Sequence, residues 1–426
     1  LTITNVGNGD IMIDFSGANT ASDFTVLRKF VATSTVETIG SFTQRPIIIS
    51  GLDTTETWFL QLFAANDFGA SPITELSGVK PSHSSQKTLI VNGFDRTNGT
   101  TNSKDYIRQH GSALWEQGQA FDGSTNEAVI AGMVDLNDYR VVDWILGEEG
   151  AVNSTFTAEE QILIREYLEN GGHLIISGSE IGYDLVAQGS SADQLFYQNY
   201  LKAEYISDAA GGHQGTYGAF GTSGSIFDGI TAIDFDNGTH GTYDVDYPDG
   251  IKPTGGAEIC AKFSNVDYAT KGGAGICYNG PFNDSPAYGT LVYLSIGFET
   301  IYPTAKRDEL MTRIINYFDQ ADAGNIDTMP NIPAEIGITA IYPNPFNSRV
   351  NIAVKLPQTN TVASSLIIVD LLGRIVTELN ISAITGSGTI IWDGRTNDGK
   401  IAPTGMYLAI LKSQNKQFIR KFTLMK

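Results

Sequence analysis

Apolar and polar positions alternate over short segments in residues 1 to about 80, for example in Asp10-Ile-Met-Ile-Asp-Phe15 and Phe24-Thr-Val-Leu-Arg-Lys29. Successive side chains of a β-strand point to opposite faces of the sheet, so this pattern predicts strands that bury one face. Turn residues separate the segments, as in an antiparallel sandwich. We therefore predict a β-sandwich over residues 1–82.

Buried strands alternate with helices in the next part of the chain, residues 87–320. Continuous apolar runs predict the strands, and apolar positions at helical spacing predict the helices. The strands are expected at 87–95, 139–146, 173–178 and 290–300, and the helices at 105–117, 161–170, 192–201 and 305–320. This alternation is typical of a mostly parallel sheet covered on both faces. The Gly-rich residues 211–289 predict an antiparallel extension.

One buried strand, His173-Leu-Ile-Ile-Ser-Gly178, lies at the centre of this predicted domain. The preceding helix opens with the capping box Thr157-Ala-Glu-Glu160 and ends at Gly171-Gly172. The strand delivers the polar loop Ser179-Glu180 to the edge of the sheet. Because ligands bind at the carboxyl ends of the strands in open α/β folds, we expect a site at this loop.

A linker and a second sandwich follow the α/β domain. Residues 321–340 are rich in proline and small residues, which predicts a linker. In residues 341–426, Asp393-Gly394 and Asn397-Asp398-Gly399 are turn signals between strand-like runs. Trp392 and Tyr407 are suited to anchor a small sandwich core. The predicted fold class is therefore multidomain, with an α/β domain between two β-sandwiches.

Composition favours an extracellular protein. Charged residues make up 17% of the chain, and Gly, Ser, Thr and Asn fill much of the remainder. The net charge of −20 would repel a nucleic acid or an anionic membrane, and no apolar run reaches membrane-spanning length. The chain opens at Leu1 without a Met or a leader, which predicts either a removed signal peptide or a fragment.

The chain has two cysteines, and each lies in a short strand-like segment. A Gly-rich turn between the segments could place Cys260 and Cys277 opposite each other, which predicts a disulfide in an oxidising compartment. The alternative is a pair of buried free thiols.

Three acidic residues, Asp95, Glu180 and Glu299, each follow a predicted parallel strand. We expect them to converge on the carboxyl edge of the sheet, with Arg96 beside them. Two carboxylates in a cleft can act as general acid and base on a glycan, or they can hold a divalent cation. Structural pairing with arginine or with backbone N–H groups is the alternative.

Ser179 could act as a nucleophile or as a helix N-cap. The small residues around it are not spaced symmetrically, as a nucleophile elbow requires, which favours the N-cap. A ligand at this corner would contact Arg96, Ser179 and Tyr183. No metal site is predicted, because the five histidines are scattered and the acidic loop 244–250 has Pro248 at a calcium-ligand position. No cofactor is predicted.

The segment Leu52-Asp-Thr-Thr-Glu-Thr-Trp58 and the following Ala65-Asn-Asp-Phe-Gly-Ala-Ser71 resemble the end of a fibronectin type III domain. In that comparison Trp58 takes the place of the usual corner tyrosine. The resemblance implies a spacer or a binding platform and no catalysis.

Four motifs in the α/β domain resemble the middle domain of secreted bacterial proteins called golvesin-related or "xanthan lyase". They are Asn92-Gly-Phe-Asp-Arg96, Ser177-Gly-Ser-Glu-Ile-Gly-Tyr183, Tyr247-Pro-Asp-Gly-Ile-Lys-Pro253 and Gly297-Phe-Glu-Thr-Ile-Tyr302. The resemblance implies a flavodoxin-like or class I glutamine amidotransferase-like fold. Ser179 stands where that fold has its nucleophilic Cys, and Phe298 stands where it has its His. Without Cys and His the ammonia-releasing reaction lacks both nucleophile and base.

Five motifs in residues 341–426 resemble the C-terminal sorting domain of type IX secretion cargo. They are Ile341-Tyr-Pro-Asn-Pro-Phe-Asn347, Val369-Asp-Leu-Leu-Gly-Arg374, Ile391-Trp-Asp-Gly-Arg395, Pro403-Thr-Gly-Met-Tyr407 and the basic end from Lys412 to Lys426. The resemblance implies recognition by the type IX secretion machinery and export through the periplasm to the outer cell surface or beyond. A solvated edge strand is the alternative interpretation of the basic end.

Within the predicted linker, Asp327-Thr328-Met329 resembles O-glycan acceptor sites of the Bacteroidetes group, with Thr328 as the acceptor.

The sequence favours a non-catalytic binding or structural protein at the cell surface or outside the cell, with glycans or a surface polymer as partners. One alternative is a polysaccharide lyase or glycoside hydrolase that uses Asp95, Glu180 and Glu299. Another is a subunit of an extracellular homopolymer, assembled through the edge strands of the two β-sandwiches.

Overall fold

The computed structural model describes residues 1–18, 20–30, 33–82, 88–151, 154–328, 337–342, 346–356, 364–370, 373–381, 387–413 and 416–425. The chain divides into two compact units, Leu1–Asn325 and Ile326–Lys426. No helix of the described residues is long and apolar enough to cross a membrane.

The first 80 residues form the strands that their alternating pattern predicts. The strands are β1 (Thr2–Gly7), β2 (Asp10–Asp14), β3 (Asp23–Lys29), β4 (Val36–Phe42), β5 (Ile47–Ile49), β6 (Trp58–Asn66), β7 (Gly69–Ala70) and β8 (Ser77–Val79). One layer has the order β1-β2-β5; the other has the order β4-β3-β6-β7, with β8 paired to β6. Their core includes Ile11 and Ile13 from one layer and Val26 and Leu62 from the other.

Residues 88–325 alternate strands and helices, as the sequence predicts. The strands are β9 (Thr88–Asn92), β10 (Phe121–Thr125), β11 (Val141–Gly147), β12 (His173–Gly178), β13 (Ala203–Ser207), β14 (Gly218–Gly221), β15 (Ile233–Phe235), β16 (Gly250–Pro253), β17 (Glu258–Phe263), β18 (Gly275–Pro281), β19 (Tyr288–Leu294) and β20 (Ile301–Tyr302). The α-helices are α1 (Ile107–Glu116), α2 (Asn126–Ile130), α3 (Ala158–Glu169), α4 (Ser191–Asn199), α5 (Tyr268–Lys271) and α6 (Thr304–Thr328).

Five parallel strands form the centre of the sheet, in the order β10-β9-β11-β12-β19. Helices α1 and α6 pack on one face, where Leu114 and Leu310 are buried, and α3 and α4 pack on the other, where Ile164 and Phe196 are buried. Both faces are therefore covered, which explains why these strands read as continuous apolar runs.

The parallel centre is extended at both edges. Strand β18 pairs antiparallel with β19 and leads to β17, β14, β15 and β20, which is the extension that the Gly-rich residues predict. At the other edge β1 pairs antiparallel with β10, so one layer of the N-terminal sandwich continues the large sheet. The sandwich is thus not free-standing, since its first strand covers the edge that β10 would otherwise expose.

Helix α6 is longer than predicted and extends into the predicted linker, residues 321–340. The helix runs to Thr328, eight residues beyond the expected end at 320. The first proline comes only at Pro330, and Asp322 anchors the added turns by pairing with Arg140 at 2.7 Å and with His173 at 2.9 Å. The predicted acceptor Thr328 is the last helical residue. Met329 and the linker through residue 336 lie outside the described residues.

The second unit contains two antiparallel sheets. Its strands are β21 (Gly337–Tyr342), β22 (Val350–Lys355), β23 (Ser365–Asp370), β24 (Ile375–Leu379), β25 (Ser387–Trp392), β26 (Gly405–Ser413) and β27 (Lys416–Leu424), in the orders β21-β22-β25 and β24-β23-β26-β27. Trp392 is buried and packs against Tyr407 and Phe422, with ring centroids 5.3 and 5.7 Å away. Both predicted core anchors are therefore confirmed.

The predicted disulfide is not formed, and the alternative of two buried free thiols holds. Cys260 and Cys277 lie on the neighbouring strands β17 and β18, and their side chains are hydrogen-bonded to each other. The register pairs Cys277 with Glu258 and then slips between Ile259 and Ala261, so Cys260 lies on a bulge with no residue opposite it.

Candidate functional site

The carboxyl ends of the five parallel strands form the edge at which the sequence predicts a site. The strand order reverses between β9 and β11, because the chain passes from β9 outward to β10 and then back across to β11. In open α/β sheets this switch point is the usual position of a ligand. The loops that begin at Gly93 and Glu148 flank it.

The loop after β9 is held by Glu149, which follows β11. Oε2 of Glu149 accepts hydrogen bonds from the backbone N–H groups of Asp95 at 2.8 Å and Arg96 at 2.7 Å. The Arg96 guanidinium donates to the carbonyl oxygens of Glu148 at 2.7 Å and Asn98 at 2.9 Å. Most of the guanidinium is therefore used to shape the loop.

Glu180 and Glu148 lie beside Arg96 in an acidic corner. Nη1 of Arg96 is 3.6 Å from Oε2 of Glu180, which is an ion pair too long for a hydrogen bond, and the Thr100 hydroxyl donates to Glu148. Burial, opposed by Arg96 and reinforced by the charges of Glu148, Asp208 and Asp246, raises the pKa of Glu180 to about 8.

Glu148 has a similar electrostatic environment. Burial, followed by the charges of Asp246 and Asp244, raises the pKa of Glu148 to about 7. The hydrogen bond from Thr100 and the charge of Arg96 lower it, but they do not cancel this increase. Two carboxyl groups at the switch point therefore titrate near neutral pH.

Asp95 lies in a second acidic group. Burial, together with the charges of Glu127 and Glu149, raises the pKa of Asp95 to about 6, against a lowering by Lys104 and a hydrogen bond from Asn126. Its neighbour Glu75 accepts a hydrogen bond from the Asn92 side chain at 2.6 Å. Burial and the charge of Asp95 raise the pKa of Glu75 to about 8.

Glu299 lies in a third environment, a network that is fully buried. Its carboxyl oxygens accept a hydrogen bond from the Tyr243 hydroxyl at 2.6 Å and lie 3.3 Å from Nε2 of His110. Nδ1 of His110 is 2.7 Å from Asp143. Burial alone would lower the pKa of His110, but the charge of Asp143 and the hydrogen bonds to Asp143 and Glu299 raise it to about 9. The ring of Phe298 packs on His110, with centroids 4.9 Å apart.

The three acidic residues predicted to converge thus lie along one edge in three different environments. Glu180 contacts Arg96, as expected, whereas Asp95 and Glu299 have other partners. The side chain of Glu299 is also completely excluded from solvent.

Ser179 is buried, and the hydrogen-bonding groups around it are already paired with other groups of the protein. Its hydroxyl donates to the Gly147 carbonyl at 3.3 Å, and the residue is 2% exposed. Oδ2 of the buried Asp249 accepts the backbone N–H groups of Gly182 at 2.6 Å and Tyr183 at 3.2 Å. The N–H of Asp249 donates to the Ser179 carbonyl at 3.0 Å, so the two loops brace each other.

Asp249 therefore caps the helical segment Tyr183–Gln188, at the position where an elbow would offer N–H groups to an oxyanion. Ser179 is not the N-cap of this segment, which is Gly182. A side chain at Gly182 would meet the Tyr197 hydroxyl at 2.7 Å, so the close approach requires glycine.

Several residues of this edge were missed by the sequence predictions. Glu148 and Glu149 directly follow a predicted strand, so the reasoning that selected Asp95, Glu180 and Glu299 could have found them. Asp249, His110 and Asp143 carry no comparable local signal, because their partners lie far away in the sequence. Within the described ranges, no group of three or more His, Cys, Asp or Glu could hold a metal ion.

Comparison with known proteins identifies the C-terminal module. Residues 340–425 match the family described as the secretion system C-terminal sorting domain. The predicted sorting domain is therefore confirmed; it indicates export to the cell surface or the extracellular space and recognition by the type IX machinery. No curated protein matches the chain in sequence.

Three solved structures show limited similarity. PorZ, described as a bacterial surface component of the type IX secretion system of Porphyromonas gingivalis, is 19% identical with a TM-score of 0.18, and the match covers 23% of this chain and 13% of PorZ. A ThuA-like protein from Bacteroides uniformis is 11% identical with a TM-score of 0.34, over 55% of this chain and 91% of that protein. The FN1–FN3 domains of chicken CNTN1 are 8% identical with a TM-score of 0.17, over 100% of this chain and 97% of theirs.

Proposed function

We propose that this chain is a non-catalytic binding or structural protein of the cell surface, delivered there by its sorting domain. The observation that carries the proposal is the closed corner at Ser179. A serine nucleophile needs an accessible hydroxyl, a base and free oxyanion donors. Here the hydroxyl is buried against Gly147, and Asp249 takes the N–H groups of Gly182 and Tyr183.

The remaining polar groups of the edge also support a structural role. The imidazole of His110 is fully buried between Asp143 and Glu299. Arg96 is tied to carbonyl oxygens of its own loop and of Glu148. A charged network of this kind holds α1, β11 and the segment Phe298–Thr300 in register.

A fluorophosphonate probe, which labels activated serines, tests the proposal. The full-length protein and a Ser179→Ala variant are incubated with the probe and analysed by peptide mass spectrometry. We expect no modification at Ser179 in the folded wild-type protein. Stoichiometric labelling at Ser179 that is absent from the variant would overturn the proposal.

One observation favours a second candidate, a glycan-active enzyme that uses carboxyl groups. Glu148 and Glu180 lie at the switch point with pKa values near 7 and 8, which suits a general acid working at neutral pH. Assays for new reducing ends and unsaturated uronic products on anionic glycans test this candidate. If product forms, the carboxyl mechanism requires that Glu180→Gln and Glu148→Gln abolish it, while retained activity in both variants rules the mechanism out.

A further inference from the structure

A groove lies beside the N-terminal sandwich and is lined by residues other than those of the candidate site. It has a volume of about 360 Å³, in the range of small-ligand pockets. It is formed by the end of β3, the turn before β6 and the last turn of α1. The residues that line it are Arg28, Lys29, Phe30, Thr33, Thr55, Glu56, Thr57, Phe59 and Trp115.

Trp115 gives this groove an aromatic wall. The residue is 40% exposed, which is unusual for so large an apolar side chain. Its only polar atom, Nε1, donates to the Thr55 carbonyl at 3.2 Å, and this hydrogen bond fixes the orientation of the ring. The accessible part of Trp115 is therefore apolar ring surface, and the half-buried Phe30 adds a second ring to the same groove.

The polar groups of the groove are held in place. The Arg28 guanidinium lies 3.6 Å from the centroid of the Trp58 ring and 4.4 Å from that of Phe30, and it donates to Glu56 at 2.5 Å. The Lys29 ammonium is paired with Asp105 at 3.0 Å. These side chains lose little further conformational freedom when a ligand binds, which favours affinity.

We propose that this groove binds a pyranose unit of a polysaccharide. The C–H face of the sugar ring packs on Trp115, and the Arg28–Glu56 pair, Lys29 and Thr57 exchange hydrogen bonds with its hydroxyl groups. An aromatic surface beside an ion pair suits a sugar ring, because the ring has an apolar C–H face and carries hydroxyl groups around its edge. A nucleic acid, the other stacking polymer, is repelled by the net charge of −20.

This inference rests on the proposed binding function and supplies its ligand class. A proline-rich peptide is the competing occupant, because such peptides also dock in aromatic-lined grooves. The fixed acceptor on Glu56 favours the sugar, because sugar hydroxyls can donate a hydrogen bond to it whereas proline has no N–H to donate.

Calorimetric titration of the full-length protein tests the groove. The probes are cellohexaose, xylohexaose, mannohexaose and an oligogalacturonate, with a proline-rich decapeptide as the competing ligand. Trp115→Ala removes the aromatic wall, and Phe68→Ala is the matched control, because Phe68 is 99% exposed and lies outside the groove. Glu56→Gln tests the hydrogen-bonding rim with little risk to folding.

We expect at least one oligosaccharide to bind, Trp115→Ala to weaken that binding by about tenfold or more, Glu56→Gln to weaken it less, and Phe68→Ala to leave it unchanged. Bound oligosaccharide should also shield tryptophan fluorescence from acrylamide in the wild type but not in Trp115→Ala. The inference is overturned if no probe sugar binds, if the peptide binds instead, or if Trp115→Ala and Glu56→Gln both bind normally. Sugar binding that survives both variants leaves the proposed function intact, whereas cleavage of the probe would defeat the proposed function itself.

Discussion

At the scale of single residues, burial determines which partners the ionisable side chains of this chain require. His110 is an example, because it has no solvent exposure and lies between two carboxylates, Asp143 and Glu299. The carboxylates hold the imidazole in its charged form, and the imidazolium in turn offsets their repulsion. Glu299 therefore makes a buried contact with His110 at the position where the sequence suggested chemistry.

Removing His110 should strongly destabilise the protein. His110→Ala leaves Asp143 and Glu299 as buried like charges without a cation, and breaking a buried pair in this way costs about 3–5 kcal/mol. Urea unfolding of the full-length protein followed by near-UV circular dichroism measures the loss. His213→Ala is the matched control, since His213 also contacts an aspartate but its side chain is 53% exposed. Equal stabilities for the two variants would contradict this role of His110.

The same groups give stability a defined pH dependence. The pKa of His110 is raised from 6.5 to about 9, and that of Glu180 from 4.5 to about 8. Between its unfolded and folded pKa values, each group holds a proton in the folded chain that it has released in the unfolded chain. The free energy of unfolding should therefore fall as pH rises from 6.5 to about 9. Urea midpoints across this range provide the measurement, and Glu180→Gln should flatten the part below pH 8. A midpoint that rises with pH would contradict the assignment.

At the scale of secondary structure elements, a local sequence motif was enough to predict a contact when both of the residues that form the contact lie within the motif. The capping box of α3 is present as predicted: the Thr157 hydroxyl accepts from the Glu160 N–H at 3.3 Å, and the Glu160 carboxylate accepts from the Thr157 N–H at 2.6 Å. We expect Thr157→Ala to destabilise the protein by about 0.5–2 kcal/mol. Ile162→Ala on the same helix, at a position 60% exposed, is the control for thermal unfolding. A loss no larger than that of Ile162→Ala would show that the box contributes little.

The candidate site was only partly predictable, because its contacts join distant parts of the chain. The sequence placed Glu180 and Arg96 at one edge, and they are in contact. It did not show that Asp249 would cap Gly182 from 67 residues away, or that Glu299 would meet His110 across 189 residues. The end of α6 was missed for the same reason, since Asp322 is held by Arg140 and His173 from other elements.

At the scale of the whole molecule, the charges of the two units have opposite signs. Residues 326–426 contain ten Lys and Arg against six Asp and Glu, although the chain as a whole has a net charge of −20. The sorting domain therefore differs in charge from the part that it exports. A receptor can use this difference to distinguish the two.

Unfolding the sorting domain should prevent surface delivery. Trp392 is 2% exposed and contacts Phe346, Tyr407 and Phe422. Trp392→Ala should cost about 3–5 kcal/mol, a large part of the stability of a small domain. We expect the variant to accumulate in the periplasm, as measured by cell fractionation and surface proteolysis. Ile391→Ala, at a neighbouring position 56% exposed, should reach the surface normally. Normal surface levels of Trp392→Ala would contradict the requirement for a folded sorting domain.

We propose that the exported part of this chain binds its partner without transforming it. Mass spectrometry of an oligosaccharide panel after prolonged incubation with the full-length protein tests this proposal, with binding followed in the same samples. We predict that every oligosaccharide, including any that binds, is recovered with its mass unchanged. A cleaved or unsaturated product that forms with the wild type and disappears with Glu148→Gln or Glu180→Gln would show that the chain is an enzyme.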